Sequence, residues 1–315
     1  MLQISNHPLY KKHDIDSAMN SFWAFYKSRF LVLYLTSFVM SLIIQYGMTF
    51  IDLKDFQNLD PKNVPDPMLI LAKLKELIVP MIILIVVSLF LSNILHYYIL
   101  MSPLDESKNI FVSVIGSLKY FIPYLVILII FTFFGSLVIG LGLLVFIIGV
   151  VFSIVYLMMI SFFLLPVMMT EGIHIGNTIA RTAKLSHRNF WSNIGWTSVF
   201  LILLIVVSLV LSSIIMIPFT GSFVKSILNS DAAGQALDFT KSPVYIVLSS
   251  AVNALTFPLI PIFGFIIYFN GRAREVTGQE PVYGDDNYKV RVEDLYAKPI
   301  NEEKIEDREK KELKS

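Results

Sequence analysis

The longest uncharged stretch of the chain constrains its fold more than any other feature. No charged side chain occurs between Phe121 and Met169. A helix that crosses a hydrocarbon core of ~30 Å needs roughly 20 apolar residues, so this stretch is long enough for two crossings and too long for one. The apolar share of 55% and the mean hydropathy of +0.69 also exceed what a soluble globular surface tolerates. The sequence therefore predicts a helical membrane protein.

Further uncharged runs of similar length occur along the chain and bring the predicted spans to about six. The spans cover residues 30–51, 80–101, 121–140, 142–166, 194–218 and 243–269. The predicted fold class is all-α, a polytopic helical membrane protein. We assign the turn between the third and fourth spans to Gly140 and Gly142, because glycine permits a tight turn. A turn without polar residues is equally compatible with a re-entrant hairpin, and both alternatives stay open.

Prolines predict a helix start and bends in two of the spans. Asp66 and Pro67 form an N-cap and first-turn pair, so the second span begins as a helix outside the bilayer and kinks at Pro80. Pro258 and Pro261 bend the last span, because each removes a backbone donor. A structural kink and a gating hinge both account for such a bend.

Lysine and arginine are unevenly distributed between the two sides of the predicted spans. Nineteen of the 25 lie on the side of the two termini, and six lie on the other side. The positive-inside rule therefore places both termini in the cytoplasm and residues 52–79 and 219–242 outside. The first 29 residues differ from the short basic region of a signal peptide, so we expect the first span to be retained. We predict a multi-pass protein of the bacterial cytoplasmic (inner) membrane.

A helix-like segment precedes spans one, three and five on the basic side of the protein. Each segment has an apolar face and closes with basic and aromatic residues. The closing residues are Lys27-Ser28-Arg29-Phe30, Lys119-Tyr120-Phe121 and Arg188-Asn189-Phe190-Trp191. We predict that each segment is a helix in the cytoplasmic interface that leads into a two-span hairpin. Either this unit is repeated three times, or the segments share only the composition that any membrane interface requires.

The sequence divides into three predicted regions. Residues 1–29 form a cytoplasmic segment with an interfacial helix, 30–270 form the membrane domain, and 271–315 form a charged tail. The tail mixes acidic and basic residues and has too few apolar side chains to bury a face. We expect it to be mobile and cytoplasmic, either as a solubilising end or as a docking site for a protein partner.

Residue types and missing motifs exclude several functional classes. The absence of cysteine excludes disulfides, thiolate-bound zinc, iron–sulfur clusters and cysteine nucleophiles. A net charge of +1, without a basic block interleaved with aromatics, argues against a nucleic-acid partner. No glycine-rich phosphate loop, nucleophile elbow or zincin motif is present. We therefore expect no cofactor, metal or catalytic residue, which favours a protein that is not an enzyme.

Polar residues recur along one side of the second predicted span. They are Ser88, Ser92, Asn93 and His96. His96 is the only ionisable side chain that we place inside a span, and such groups often mark transport pathways. The stripe either lines a cavity or forms hydrogen bonds with a neighbouring helix.

Basic residues recur at helical spacing in the segment 177–191, which follows the fourth span. A basic helix at the interface attracts anionic headgroups. We therefore predict a headgroup or small-anion site with six residues, namely Arg181, Lys184, Arg188, Trp191, Glu171 and His174. The Glu-x-x-His spacing of the last two also matches half of a carboxylate-bridged metal site, but the second half is missing.

The stretch from Phe163 to Gly195 resembles a known pattern. The matching residues are Phe163-Leu-Leu-Pro166, Glu171-Gly172, Asn177-Thr-Ile-Ala-Arg181-Thr-Ala-Lys-Leu185, Arg188-Asn-Phe-Trp191 and Gly195. They resemble a bacterial family of six-span proteins, similar to the membrane domain that some glycerophosphodiester phosphodiesterases carry ahead of their catalytic domain. Only the charged tail follows here, so the resemblance implies the six-span layout and not hydrolase activity.

The expected function is therefore non-catalytic: an integral membrane protein that organises lipid or partner proteins. The expected partners are membrane lipids with anionic headgroups, and a protein bound through the tail. One alternative is a transporter of small solutes or lipid that uses the polar stripe, and another is a membrane-embedded enzyme that acts on lipid. A coupled transporter normally shows an intramembrane charge or paired broken helices, and an enzyme shows a convergent acid–base set.

Overall fold

The computed structural model describes residues 4–51, 67–105, 107–221 and 238–276. Within these ranges the chain is all-α and contains no strand. The helices are α1 (Ile15–Ser28), α2 (Phe30–Met48), α3 (Pro67–Met101), α4 (Ile110–Leu143), α5 (Phe146–Glu171), α6 (Ile175–Arg188), α7 (Phe190–Met216), α8 (Pro243–Thr256) and α9 (Leu259–Val276). Short 3-10 segments lie at Ile4–Asn6, Ile217–Phe219 and Asp238–Lys241.

Six segments of the described ranges are long and apolar enough to cross a membrane. They are Phe30–Met48, Leu74–Met101, Ile110–Leu143, Phe146–Glu171, Phe190–Phe219 and Pro243–Glu275. The prediction of an all-α polytopic membrane protein is thereby confirmed. The predicted N-cap at Asp66 and the tail beyond residue 276 lie outside the described residues. Helix α9 continues past the boundary that we placed at residue 270 and ends at Val276.

The helices that precede the spans differ in how they join them. Helices α1 and α6 are separate, because Arg29 and Asn189 leave the helical conformation, with φ/ψ of −123°/16° and −119°/53°. The corresponding segment before the third span is not a separate helix. It forms the first turns of α4, which continues through Pro123 without a break.

The three segments bury residues in the same register, although their sequences differ. The N-caps are Asp14, Asn109 and His174, and in each segment the residues four, eight and eleven positions later are buried. These residues are Ala18, Phe22 and Phe25 in α1, Ser113, Ser117 and Tyr120 in α4, and Thr178, Thr182 and Leu185 in α6. Composition alone does not set the register of buried residues. The common register therefore favours a unit that is repeated three times, rather than three segments that share only the composition of a membrane interface.

The core is built from the final turns of α3 and α5 and from the middle of α9. The buried runs are 93–102 at the end of α3, 162–169 in α5 and 261–270 in α9. Gly264 permits a close approach of α9 to α5, since a Cβ there would lie 2.9 Å from the carbonyl oxygen of Phe162. The most buried part of the molecule is therefore at the end of the bundle where the predicted interfacial segments lie.

Each interfacial segment packs against the final turns of the span that precedes it. The start of α4 packs on α3, where the Asn93 amide donates to the carbonyl of Ser117 at 2.9 Å, and α6 packs on α5. The N-terminal end of α1 instead meets α9, where the backbone N–H of His13 donates to Asn270 Oδ1 at 2.9 Å. The N-terminal unit thus completes a cyclic arrangement with the last span.

The turn between α4 and α5 is formed by Leu144 and Val145, so its assignment to Gly140 and Gly142 was wrong. Both glycines lie inside α4. A Cβ on Gly142 would lie 2.7 Å from the carbonyl oxygen of Gly149, so this glycine permits close helix contact rather than a turn.

The last span is interrupted, as the prolines predict. Helix α8 ends at Thr256, and Phe257 and Pro258 form a turn before α9 begins. Pro80, by contrast, lies within the continuous helix α3. The chain therefore breaks one proline-containing span and continues through another.

Candidate functional site

Glu171, the last residue of α5, joins side chains from three helices. The Nε of Arg181 in α6 donates to Glu171 Oε2 at 2.7 Å, and the Nε of Arg272 in α9 lies 3.5 Å from Oε1. The hydroxyl of Tyr268 donates to Oε1 at 2.9 Å and accepts from the hydroxyl of Thr170 at 2.5 Å. This Glu171 cluster connects α5, α6 and α9 at the end of the buried core.

The Glu171 cluster changes the role that the sequence suggested for Arg181. The side chains of Arg181 and Glu171 are only 16% and 23% exposed, so their charge-assisted hydrogen bond is partly shielded from water. Arg181 therefore anchors α6 to α5. The sequence predicts these two residues in one site but does not indicate Arg272 and Tyr268, whose only signal is their position at the end of the last span.

The remaining residues of the predicted anion site lie along α6 and at its ends. Lys184 is exposed, Arg188 is half-buried, and Trp191 is 75% exposed at the start of α7. His174 is exposed at the N-cap of α6 and makes no side-chain capping hydrogen bond. The basic side of α6 thus ends beside an exposed aromatic ring.

Tyr156 of α5 and His187 form a pair of polar groups near the C-terminus of α6. His187 Nδ1 lies 2.8 Å from the carbonyl of Ala183, which only accepts hydrogen bonds, so Nδ1 carries the proton. Nε2 then accepts from the hydroxyl of Tyr156 at 3.0 Å. Phe190 stacks on the imidazole with ring centroids 5.8 Å apart. The phenol oxygen of Tyr156 keeps a lone pair that can accept a hydrogen bond from a ligand.

A cavity of about 240 Å³ lies between α4 and α5 beside α6. Its walls are almost entirely apolar and include Ile127, Phe134 and Leu164, and Thr182 and His187 are among the polar residues along it. A second, more open cavity of about 600 Å³ continues along α4 and reaches Val145 in the turn that follows it. The two cavities share Val138, Tyr156 and His187, and together they form the α4/α5 groove.

Thr182 is the most unusual residue of the α4/α5 groove. It is 1% exposed, and its hydroxyl has no hydrogen-bond partner within the described part of the chain. Buried polar groups in native proteins nearly always have a partner, so this hydroxyl is available to a ligand or a water molecule, as are the buried hydroxyls of Ser37, Thr197 and Ser250 elsewhere in the bundle. Its counterpart in α4, the hydroxyl of Ser117, donates to the carbonyl of Val114 at 2.9 Å.

The polar stripe of α3 enters the core at Asn93 and His96, whereas Ser88 and Ser92 are half-buried. Asn93 is fully buried and bridges α3 to α4 through its bond to Ser117. His96 is 7% exposed, and its Nδ1 lies 2.8 Å from the carbonyl of Ser92 one turn earlier. Its ring lies 6.0 Å from that of Phe265 in α9. These contacts favour a role in helix packing over the lining of a transport pathway.

No family model, curated protein or solved structure matches this chain. The resemblance of residues 163–195 to a bacterial six-span membrane domain therefore stays a prediction. Among the described residues, no group of three or more histidine, aspartate or glutamate side chains is placed to hold a metal ion.

Proposed function

We propose that this protein is a non-catalytic integral protein of the bacterial cytoplasmic membrane that binds and organises anionic phospholipid along α6. The observation that carries the proposal is the combination of Lys184 and Arg188 on α6, an exposed Trp191 beside them, and the apolar α4/α5 groove below. Cations and an indole ring at the edge of an apolar surface suit the headgroup region of a bilayer.

The charges on α6 set the expected strength of this interaction. Each basic residue near an anionic bilayer surface contributes about 1 kcal/mol, and salt screens the effect. Arg181 contributes less, because Glu171 already compensates its charge at 2.7 Å.

The orientation of this site follows from the charge distribution, with α6 and both termini in the cytoplasm. Since the chain has no cysteine, single cysteines can be introduced without background labelling. A cysteine at Asn58 should react with an impermeant maleimide in cells with a permeabilised outer membrane, and one at Ser315 should not. Labelling at Ser315 and not at Asn58 would show that the predicted orientation is wrong.

Lipid binding is tested by thermal unfolding in detergent with added phosphatidylglycerol or phosphatidylcholine. The test variant is Lys184→Gln/Arg188→Gln, and the control is Lys27→Gln/Lys119→Gln, which removes exposed cations from the two equivalent segments. The first variant should lose most of the stabilisation by phosphatidylglycerol, and the control should keep it. Equal losses in both variants would reduce α6 to a generic interfacial helix, and so would an absence of loss in both.

The broken last span favours one second candidate, a lipid transporter. Discontinuous helices form substrate sites in many transporters, where they occur as pairs. The break at Phe257 and Pro258 is accompanied by the buried start of α9 at Leu259. Movement of a fluorescent lipid between leaflets of reconstituted vesicles, above that of protein-free vesicles, would favour transport over static binding.

A further inference from the structure

The α4/α5 groove is long enough to hold a lipid chain. Its lining follows α4 from Ile127 to Gly142, which at 1.5 Å per residue corresponds to a path of about 22 Å. One acyl chain spans a single leaflet, which is half of a hydrocarbon core ~30 Å thick, so the groove has room for its full length. Both helices that form the groove are candidate spans, so an occupant can enter from the bilayer.

The polar atoms of the groove are few and lie close to α6. Thr182 brings a hydroxyl without a partner in the described chain, and Tyr156 brings a phenol oxygen with an open lone pair. A threonine in a helix commonly occupies either of two χ1 rotamers, so the Thr182 hydroxyl can turn toward an occupant. The Thr182 hydroxyl is then a single hydrogen-bond donor at the edge of an apolar groove. It can donate to one ester carbonyl of a lipid.

Other occupants fit these walls less well. An extended peptide would bring a row of backbone N–H and C=O groups, and apolar walls cannot satisfy them. A helix of a second copy has a diameter of roughly 10 Å or more, so along the length of the groove it would need more space than the 240 Å³ and 600 Å³ of the two cavities provide. An acyl chain needs neither hydrogen-bond partners nor such width.

We infer that the α4/α5 groove binds one acyl chain of a phospholipid, with the ester carbonyl of that chain accepting a hydrogen bond from Thr182 and the headgroup lying at Lys184 and Arg188. This inference rests on the proposed function and adds the chain to it. The site is particular to the third unit. The equivalent of Thr182 is Phe22 in α1 and Ser117 in α4, where the first has no hydroxyl and the second already has a partner.

Two alanines of α6 provide a matched test of the groove. Ala183 and Ala180 are both exposed, but only Ala183 lines the groove. Ala183→Phe places a ring in the groove, and Ala180→Phe adds the same ring to the adjacent surface of the helix. Each purified variant is titrated with phosphatidylglycerols that carry two six-carbon or two sixteen-carbon chains, and binding is followed by native mass spectrometry.

The wild-type protein should prefer the long chains by tenfold or more, and Ala180→Phe should keep this preference. Ala183→Phe should lose it and still prefer phosphatidylglycerol over phosphatidylcholine. Thr182→Val, which removes only the hydroxyl, should weaken long-chain binding several-fold and should not lower the unfolding temperature without lipid.

The possible failures are distinguishable. A wild-type protein without a preference for phosphatidylglycerol would overturn the proposed function. If that headgroup preference is present but Ala183→Phe keeps its chain-length preference, the acyl-chain site alone is wrong. Tighter binding of a polyprenyl chain than of the sixteen-carbon chains would likewise overturn the assignment to an acyl chain.

Discussion

Helices α1 and α6 occupy equivalent positions in the threefold unit, yet their buried faces differ in chemistry. Helix α1 buries Phe22 and Phe25, and Asp14 and Ser17 close a reciprocal capping box at its start. Helix α6 buries two threonines and a serine at and near the same positions, and its N-cap makes no side-chain hydrogen bond. Local sequence thus stabilises α1 well and α6 poorly. Functional sites are where such local rules are usually broken.

What holds α6 in place is therefore different from what holds α1. The rings around Phe22 form an aromatic contact between α1 and α7, with Phe200 at 6.2 Å. Helix α6 depends more on the Glu171 cluster and on the bond between Tyr156 and His187. These polar contacts hold α6 at two points, while the Thr182 hydroxyl on its buried face has no partner in the described chain. Such an arrangement suits a helix that binds a ligand.

Truncation of the α1 face should have the largest effect on stability. Phe22→Ala removes a buried ring and should lower the free energy of unfolding by about 3–5 kcal/mol, as for buried phenylalanines elsewhere. Thr182→Val at the equivalent position of α6 should leave this free energy unchanged or raise it. The free energy of unfolding is measured by chemical denaturation in detergent. Equal losses in the two variants would show that the buried faces of α1 and α6 contribute to stability in the same way.

Acidification should act on the segment that covers α1. His7 is 2% exposed and stacks on Phe25, its Nε2 donates to the carbonyl of Ile99 at 3.1 Å, and its Nδ1 accepts from the N–H of Leu9. Burial lowers the pKa of His7 to about 4, although the hydrogen bond to Ile99 opposes this shift.

The sign of the pH effect follows from these two protonation states. Between pH 6.5 and 4 the unfolded chain binds a proton that folded His7 does not, so stability should fall by on the order of 3 kcal/mol as the pH falls through this range. Burial also lowers the pKa of His13, which adds in the same direction. Denaturation curves of His7→Gln should show a shallower dependence, and a full slope in this variant would exclude His7 as the source.

Removal of the Glu171 carboxylate should have a smaller effect, confined to α6. Glu171→Gln leaves Arg181 and Arg272 without their anionic partner and should cost about 1–2 kcal/mol, since the side chain is only 23% exposed. Amide hydrogen exchange in α6 should rise while that in α1 stays constant. Asp105→Asn, which breaks an exposed ion pair with Lys108, is the control and should change neither. An equal increase in amide exchange throughout the protein would contradict a role of Glu171 that is confined to α6.

The sequence predicted the elements of this fold far better than their contacts. Apolar run lengths predicted the six spans, and the helical spacing of Arg181 and Arg188 predicted α6, because both are local properties. The contact between Tyr268 and Glu171 joins residues 97 positions apart, and no local pattern indicates it. The turn at Gly140 and Gly142 was wrong because a glycine in an apolar run permits close helix packing as readily as a turn.

The contact between α1 and α9 has a consequence for biosynthesis. The backbone of His13 and the side chain of Asn270, which hydrogen-bond in the folded protein, are separated by 257 residues. At ~5–20 residues per second, a ribosome needs roughly 10–50 s to make the partner after α1 has emerged. During this interval α1 can already contact α7 through Phe22 and Phe200, but the hydrogen bond from His13 to Asn270 cannot form. We expect α1 to lie on the membrane surface until α7 is made, and its N-terminal end to dock only after α9 has been made.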